Sequence, residues 1–349
     1  MLKKVLATLT VLAPLGLCAC VGPKADVLGQ KWGMMPTVER TCPVTVDESV
    51  TGTARVGWMV TADGQALLYG NGWLDACLPN MKIQWQKYEA GAEVAQAFGS
   101  DSTDLSLIGS SHMASTLSEP LNLNVDMAWI FSVIGTAESL VAKDPNVQSL
   151  RDLKGKSIAV STGSTTHYSL LSAIKQAGMQ PTDFNLVFLA PDKMLAGWSG
   201  NQLDAAWVWD PTLSKLTETG HIIMSSADTA AAGSPTANVA IVDKTFAANN
   251  PGFMRMYWLL QEKAIEQLND DPDAAAETLS PILNVSIDET KYQLSGYQYL
   301  TAEEQYNLHF GDALYSTAQF LQEQGRVTVA DKQHYEDAVI IPSVNPTDS

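Results

Sequence analysis

The chain has 349 residues, of which 46 % are hydrophobic and 17 % charged, and 38 acidic side chains outnumber 21 basic ones. The formal net charge of −17 and the pI near 4.6 argue against a nucleic-acid-binding protein, which needs a basic surface to neutralise phosphates. The length allows about two domains with a well-buried core. Beyond the N-terminus, the sequence has no run of about 18 apolar residues that would predict a membrane-spanning helix.

The first residues have the composition of a bacterial export signal. Two lysines lie within residues 1–4, and a mostly small, apolar stretch over 5–19 leads to Cys20. This stretch is too short to cross a bilayer comfortably. The string Leu17-Cys18-Ala19-Cys20 resembles a lipobox, so we predict a lipoprotein signal peptide over residues 1–19 and lipid attachment at Cys20. The alternative is an ordinary signal peptide that is cleaved elsewhere.

Two cysteines, Cys42 and Cys77, remain beyond this segment. An even pair without Cys-x-x-Cys spacing, in an exported protein, predicts a structural disulfide rather than a redox or metal site. Residues 20–53 show little periodicity and contain Pro23, Pro36 and Pro43. We therefore predict that they form a tether and an N-terminal cover.

From residue 54 onwards, strand patterns alternate with helix patterns. The predicted strands are 55–60, 81–88, 105–108, 125–133, 139–142, 157–160, 185–189, 205–209 and 238–242. The main predicted helices are 65–78, 92–98, 168–177, 193–199, 252–268, 274–279, 287–294 and 312–323. This alternation predicts an α/β protein with parallel sheets covered on both faces, and the strands suffice for two sheets.

Three loops follow predicted strands and precede predicted helices, at residues 60–63, 109–111 and 164–167. Ligands bind at the carboxyl ends of strands in open α/β sheets, and free N–H groups at a helix N-terminus attract anions. Two Ser/Thr-rich loops that face one cleft would suit a sulfonate, a phosphate or a carboxylate. Ordinary helix capping by Ser and Thr is the alternative interpretation.

The chain lacks the common motifs of nucleotide, metal and hydrolase sites. It contains no G-x-x-x-x-G-K-[ST], no G-x-G-x-x-G and no G-x-S-x-G, and its five histidines lack H-E-x-x-H spacing. We therefore expect no cofactor and no metal. His167 could act as a base beside Ser169, but a donor to an anion or a histidine of the core is the favoured interpretation.

Aromatic residues cluster near one predicted strand end. Trp198 precedes it, and Trp207 and Trp209 lie within it, next to Asp210 and Pro211. Aromatic rings around a small ligand supply cation–π contacts and exclude water. Core packing remains the default for at least one of the three tryptophans, and Asp210 before Pro211 also fits a plain helix N-cap.

Several strings, in the same order along the chain, resemble the taurine-binding component of bacterial ABC importers. The most specific is 165–171, followed by Gly178, and the preceding 153–160 fits the wider sulfonate-binding family. The other matching strings are 109–111, 135–140, 207–211, 233–236 and 317–321. The resemblance extends from about Ala54 to Gly325 and is densest over 153–240.

The resemblance implies a two-lobed periplasmic binding protein of type II, with a mostly parallel sheet in each lobe and a helical C-terminal region. Lobe one would comprise residues 54–136 and 239–325, lobe two 137–238, and a C-terminal tail 326–349. Such a protein binds taurine or a related small sulfonate between its lobes and delivers it to a permease and its ATPase, without catalysis. We expect a monomer, lipid-anchored in the periplasm or at the cell surface, that does not bind nucleic acid.

The loops and the resemblance together predict twelve ligand-binding residues: Asp63, Ser110, Ser111, Glu138, Ser164, Thr165, Thr166, His167, Trp207, Trp209, Asp210 and Asn238. Three of them depart from the family's pattern. The family usually has an acid where Asn238 stands, a Glu in place of Asp63 and commonly an Ala in place of Asp210. The change at Asn238 matters because a buried ammonium without a charge partner is costly.

Two hypotheses about the ligand follow. Either Asp210, Asp63 or Glu138 supplies the missing charge and taurine binds. Or the ligand is another small anion or zwitterion, such as an alkylsulfonate or a methylated taurine, whose other end is held by the tryptophans. An exported enzyme of the same fold that uses His167, or a lipid-anchored sensor or adhesin, are the remaining alternatives.

Overall fold

The computed structural model describes residues 41–342, and their strands form two separate sheets. The first sheet contains β1 (Gly52–Trp58), β2 (Met81–Lys87), β3 (Leu105–Gly109), β4 (Val125–Ile134), β10 (Ala237–Asp243) and β11 (Tyr297–Gln298), in the order β11-β4-β10-β3-β1-β2. The second contains β5 (Glu138–Ala142), β6 (Ser157–Val160), β7 (Asn185–Phe188), β8 (Ala205–Trp209) and β9 (His221–Ser225), in the order β7-β6-β8-β5-β9. We call the parts built on these sheets lobe one and lobe two.

The helices of the first half are α1 (Gly64–Asn71), α2 (Trp73–Cys77), α3 (Gly91–Gly99), α4 (Ser110–Thr116), α5 (Thr165–Gln176), α6 (Pro191–Ser199), α7 (Thr212–Thr217) and α8 (Ser226–Ala231). The remaining helices are α9 (Lys244–Asn249), α10 (Pro251–Asp270), α11 (Pro272–Leu283), α12 (Ile287–Leu294), α13 (Ala302–Asn307), α14 (Phe310–Glu323) and α15 (Lys332–Asp337). Within residues 41–342, no helix combines the length and the apolar character that a membrane span requires.

Both sheets are mixed, whereas the sequence predicted mostly parallel sheets. β1 runs parallel to β2 and β3, and β6 runs parallel to β7 and β8. In contrast, β10 is antiparallel to β3 and β4, and β5 is antiparallel to β8 and β9. The antiparallel strands β5 and β10 are those that follow the two passages of the chain from one lobe to the other.

The chain crosses between the lobes twice. It leaves lobe one after Ile134 and enters the second sheet at Glu138, close to the predicted boundary. It returns between Ser225 and Ala237, where β10 begins. Asn238, predicted as the last residue of lobe two, therefore lies on the first sheet.

The core of lobe two has two layers, because successive side chains of a strand point to opposite faces. Leu140 and Trp207 pack in one cluster, whereas Val141 and Val208 pack in the other. Lobe one has a single larger core around β3, β4 and β10. Each sheet is thus covered on both faces, as the alternation of strands and helices predicted.

The segment before β1 covers lobe one. Cys42 and Cys77 form a disulfide with an S–S distance of 1.97 Å, as the sequence predicted. Asp47 pairs with Arg255 at 2.8 Å, and Val50 packs against the core. The predicted signal peptide, the lipid-attachment site Cys20 and the first part of the predicted tether lie outside the described residues.

The described part of the predicted C-terminal tail is packed structure. Tyr335 on α15 is fully buried in the core of lobe one, and its hydroxyl lies 2.6 Å from Ser118 Oγ. Val339 pairs with Met127 at the edge of β4. The prediction of a tail is therefore wrong for residues 326–342, because an aromatic anchor attaches this segment to the fold.

The predicted helix 65–78 is divided in two. Gly72 has φ +62°, a left-handed conformation, and its N–H donates to the last turn of α1. Glycine adopts this conformation without a side-chain clash and so ends one helix and begins the next. The break leaves α1 as a short helix that the buried Asp63 caps at its N-terminus.

Candidate ligand-binding site

A narrow cavity lies between the lobes, where strands from both sheets end. Lobe one supplies Met59, Thr61, Ala90, Gly91, Gly109, His112, Asn238 and Tyr297 to its wall. Lobe two supplies Glu138, Ser161, Ser164, Thr165 and Trp209. The structure therefore brings together five of the twelve predicted binding residues: Glu138, Ser164, Thr165, Trp209 and Asn238.

Two helices of at least two turns begin on this cavity, one from each lobe. Helix α3 begins at Gly91, and α5 begins at Thr165 with Ser164 as its N-cap. A Cβ on Gly91 would lie 2.7 Å from His112 Nδ1, so only glycine fits there. The first N–H groups of a helix lack intrahelical acceptors and attract anions. Both ends are thus suited to an anionic group.

Glu138 is the carboxylate of the cavity. It is 4 % exposed, its Oε1 accepts a hydrogen bond from Thr165 Oγ1 at 2.5 Å, and its Oε2 accepts one from Ser226 Oγ at 3.3 Å. Burial raises the pKa of Glu138 to about 7, although both hydroxyl donors act in the opposite direction. An opposite charge in the cavity would therefore stabilise its ionised form.

Asp63 lies behind the wall. It is fully buried, accepts a hydrogen bond from Thr61 Oγ1 at 2.5 Å and caps α1 by accepting from the Ala66 N–H at 3.1 Å. Burial raises the pKa of Asp63 to about 7. Thr61, rather than Asp63, forms the surface of the cavity. The prediction that Asp63 lines the cavity is therefore wrong. Asp63 instead accepts a hydrogen bond from Thr61, which does line it.

The carboxylate of Asp210 is hydrogen-bonded to Ser214, four residues further along the chain. Its Oδ1 accepts from the Ser214 N–H at 2.9 Å and also from the Ser214 hydroxyl, at the start of α7. This arrangement resembles the helix cap that was the alternative interpretation of the sequence. Of the three acids considered for the ligand's cation, Asp210, Asp63 and Glu138, Glu138 is the one that lines the cavity.

The two neighbouring tryptophans have different roles in the structure. Trp209, at the end of β8, lines the cavity and pairs with Glu138 across the β5–β8 ladder. Trp207 is fully buried in the core of lobe two, with no access to the cavity. The prediction of Trp207 as a binding residue is therefore not supported, and its bulk serves packing.

His167 lies in the first turn of α5 and is not part of the described cavity wall. Its Nδ1 accepts a hydrogen bond from the Gly163 N–H at 3.1 Å, and its ring contacts Phe188 edge-on. Burial lowers the pKa of His167 to about 4, and the charge of Arg326 contributes in the same direction. The imidazole is thus neutral at pH 7 and maintains the shape of the loop that carries Ser164.

Three further predicted residues support the site from behind. Ser110 Oγ accepts from the Ala237 N–H at 3.1 Å, which ties α4 to β10. Thr166 Oγ1 lies 2.7 Å from Ser164 Oγ inside the α5 turn. The buried Ser111 Oγ has no hydrogen-bond partner within residues 41–342. None of these three side chains forms the cavity wall in the described residues.

Asn238 lines the cavity from lobe one. Its Nδ2 donates to Ser132 Oγ at 3.2 Å on the neighbouring strand β4. The amide is neutral, so it gives this part of the wall polarity without charge. Among the described residues of the wall, the carboxylate is that of Glu138, on the other lobe.

Sequence reasoning missed two prominent residues of the wall. Tyr297 lies on the two-residue strand β11, which pairs with the end of β4, and the sequence gives no signal for so short a strand. His112 follows the predicted loop 109–111 directly, and that position could have suggested it. Burial lowers the pKa of His112 to about 4, and nearby Arg326 contributes, so it is neutral at pH 7.

Comparison with known proteins gives a consistent result. The family model described as "NMT1/THI5 like" matches residues 80–275. The taurine-binding periplasmic protein of Escherichia coli (strain K12) is 32 % identical over 254 residues, which are 70 % of this chain and 78 % of that protein. The putative aliphatic sulfonates-binding protein of the same strain is 28 % identical over 176 residues, 50 % of this chain and 54 % of that protein.

The fold also has solved counterparts. The alkanesulfonate-binding protein SsuA from Xanthomonas axonopodis pv. citri, bound to MOPS, superimposes with a TM-score of 0.69 at 21 % identity. The match covers 85 % of this chain and 99 % of that one. It establishes the two-lobed architecture, while the sequence matches establish kinship. The chain therefore belongs to the NMT1/THI5-like family, and it is a relative of the taurine-binding periplasmic protein of Escherichia coli.

Proposed function

We propose that this chain is the extracytoplasmic solute-binding component of an ABC importer, and that it binds taurine or a related small sulfonate between its lobes. One observation carries the proposal: the N-termini of α3 and α5 and the buried carboxylate of Glu138 share one cavity. A zwitterion with a sulfonate at one end and an ammonium at the other matches both charges. The relatives that bind taurine and aliphatic sulfonates support the same ligand class.

The sulfonate would bind at the helix N-termini. Its three oxygens accept hydrogen bonds, and the free N–H groups near Gly91 and Thr165 donate them. The net charge of −17 does not oppose this, because fixed N–H dipoles act at contact distance whereas surface charges are screened by solvent and salt. Local geometry therefore decides the affinity for the anion.

The ammonium would bind near Glu138. Trp209 and Tyr297 form the wall beside it, and an aromatic face attracts a desolvated cation by about 1–2 kcal/mol. Burial raises the pKa of Tyr297 well above its ordinary value, and the charge of Glu138 acts in the same direction. Glu138 would thus supply the negative charge that the family usually has at the position of Asn238.

The rival hypothesis of an enzyme that uses His167 finds no support in this geometry. The His167 ring is bound to its own loop and lies outside the cavity wall. We therefore propose binding and delivery to a permease and its ATPase, without turnover. We further propose a monomer that is anchored to the membrane through Cys20 and faces the periplasm or the cell surface.

Isothermal titration calorimetry with taurine, ethanesulfonate, N,N,N-trimethyltaurine and a phosphonate tests the ligand class. We expect taurine to bind most tightly, and its NMR spectrum to stay unchanged after prolonged incubation with the protein. A protein that binds none of the sulfonates, or that converts taurine to a product, would refute the proposal. The anchor is tested separately, since Cys20→Ala should move the protein from the membrane to the soluble fraction.

A further inference from the structure

Each lobe presents a threonine to the cavity whose hydroxyl proton is already engaged. Thr61 Oγ1 donates to Asp63 at 2.5 Å in lobe one, and Thr165 Oγ1 donates to Glu138 at 2.5 Å in lobe two. A threonine hydroxyl has one proton and two acceptor sites. Once the proton points to an ionised carboxylate, the oxygen can only accept. The cavity therefore has an acceptor-only hydroxyl on each side.

Asp63 influences the cavity only through Thr61. Asp63 is fully buried, and its two oxygens are used by Thr61 Oγ1 and by the Ala66 N–H. Thr61 is itself only 8 % exposed, and it lies between this carboxylate and the cavity. A hydrogen bond to a charged acceptor is strong, so it fixes the rotamer of Thr61 and polarises its oxygen. Asp63 is thus a positioning residue, one layer removed from the ligand.

We propose that Thr61, oriented by Asp63, accepts a hydrogen bond from an ammonium N–H of the ligand, and that Thr165 accepts a second one. This inference rests on the proposed function and adds the chemistry of the ligand's cationic end. The cavity then requires a primary or secondary ammonium with at least two N–H donors. A quaternary ammonium satisfies the charge of Glu138 but leaves both threonine oxygens without a donor.

The same arrangement explains how the site tolerates Asn238. Glu138 supplies the charge, and the threonine oxygens supply the additional acceptors that an ammonium needs when it leaves water. Sulfonate oxygens are themselves acceptors, so they are rejected at Thr61 and directed to the helix N-termini. The two ends of the ligand are thereby oriented.

The first test uses the unmodified protein, so it does not depend on the folding of a variant. Calorimetric titrations at pH 8 compare taurine with its N-methyl, N,N-dimethyl and N,N,N-trimethyl derivatives. We expect affinity to fall once fewer than two N–H donors remain, with the trimethyl compound at least about 100-fold weaker than taurine. Equal affinity for taurine and trimethyltaurine would overturn the inference.

The second test isolates Thr61. We expect Thr61→Val to weaken taurine binding about 10- to 100-fold while ethanesulfonate, which has no N–H, changes less than about threefold. Thr61→Ser should stay close to wild type because it restores the hydroxyl. Thr103→Val is the matched control, since Thr103 is another buried threonine of lobe one and donates to the backbone of Arg55, away from the cavity.

Asp63→Asn tests the positioning role. An amide can donate to Thr61 Oγ1 and turn that hydroxyl into a donor, so we expect the preference for taurine over ethanesulfonate to fall about tenfold. An equal loss for both ligands in Thr61→Val and Asp63→Asn would show a merely structural role and refute the inference. If the wild-type protein bound no sulfonate at all, the proposed function itself would fail, which is a distinguishable result.

Discussion

The two lobes contain the same unit, a buried carboxylate that accepts a threonine hydroxyl at 2.5 Å, but they place it differently. In lobe two, Glu138 lines the cavity itself and can meet a ligand directly. In lobe one, Asp63 is fully enclosed and also caps α1, so its only route to the ligand is Thr61. Lobe two thus presents the carboxylate of Glu138 to the cavity, and lobe one presents the oriented hydroxyl oxygen of Thr61.

The difference shows how a carboxylate's position decides its function. The charge of an ionised acid at the cavity wall is balanced when a cationic ligand binds. An enclosed acid, in contrast, keeps the same partners in the empty and the ligand-bound protein. Glu138 should therefore govern affinity and its dependence on pH, while Asp63 should govern selectivity and the stability of the empty protein. The four predictions below test this division.

The largest effect is expected for Glu138→Gln. Loss of the cavity carboxylate leaves a bound ammonium without its charge partner, so taurine affinity should fall about 100-fold or more in calorimetry. Glu218→Gln, a change at an exposed glutamate of the same lobe, is the control and should bind as wild type. A loss for Asp63→Asn that equals the loss for Glu138→Gln would break the proposed division between the lobes.

The tryptophan pair of β8 separates packing from binding within lobe two. Trp207→Leu should lower the free energy of unfolding by about 2–4 kcal/mol, because it leaves a cavity in the core, and it should leave taurine affinity within about threefold. Trp209→Leu should do the reverse, with about tenfold weaker binding and a small change in stability. Chemical denaturation and calorimetry on both variants measure the contrast, and a loss of binding by Trp207→Leu in a folded protein would contradict it.

The empty protein should show the cost of ionising Asp63. Its pKa in the folded state is about 7, above the ordinary value of 3.8, so this group contributes stability at low pH that is lost as the pH rises towards 7. His112 and His167, with pKa values lowered to about 4, act in the opposite direction below about pH 6.5. Both proteins contain His112 and His167, so the contributions of these histidines cancel in the difference in unfolding free energy between Asp63→Asn and wild type.

Asp63→Asn should therefore gain stability relative to wild type as the pH rises from 5 to 8, by about 2–3 kcal/mol in urea denaturation without ligand. The reason is that the neutral amide resembles the protonated acid and never ionises. A difference that does not vary with pH would show that Asp63 ionises at its ordinary pKa.

The smallest effect is the pH dependence of taurine binding. Glu138 has a pKa of about 7 in the empty protein, and it must be ionised to pair with an ammonium, so taurine affinity should fall about tenfold from pH 8 to pH 6. His112 and His167 stay neutral over this interval. Ethanesulfonate should show the opposite trend or none. Glu138→Gln should reduce the slope of the taurine profile without removing it, because Asp63, whose pKa is also about 7, titrates over the same interval. Affinity for taurine that rises towards pH 6 would contradict the assignment.

The fold was largely predictable from the sequence, because alternating strand and helix patterns report buried faces locally. The loops at 164–167 and near Gly109 also reached the cavity, since the carboxyl ends of strands define it. In contrast, the packed segment after residue 326 was misjudged, because the burial of Tyr335 depends on a distant contact with Ser118. A short helical segment without strong periodicity gives no sign of such a contact.

The site was predictable only in part, for a similar reason. Trp207 and Trp209 look alike in sequence, but Trp207 lies in the strand's buried interior and Trp209 at its end on the cavity. Asp63 and Thr61 are two residues apart, and only the path of the loop decides which of them meets the ligand. Tyr297 comes from a region more than a hundred residues away along the chain from Glu138, so only the folded structure brings both to the wall of one cavity.

Helix α14 has a consequence for the energetics of closure. Its first half, with Phe310 and Leu314, packs in the core of lobe one, whereas Phe320 packs against Tyr168 of α5 in lobe two and Glu323 pairs with Lys175 at 2.7 Å. Opening the cleft must therefore either carry this helix end along with lobe two or separate these contacts. If they favour the closed form by about 1.4 kcal/mol, the closed population rises up to tenfold, and the apparent Kd tightens by the same factor although α14 contributes no residue to the described cavity wall.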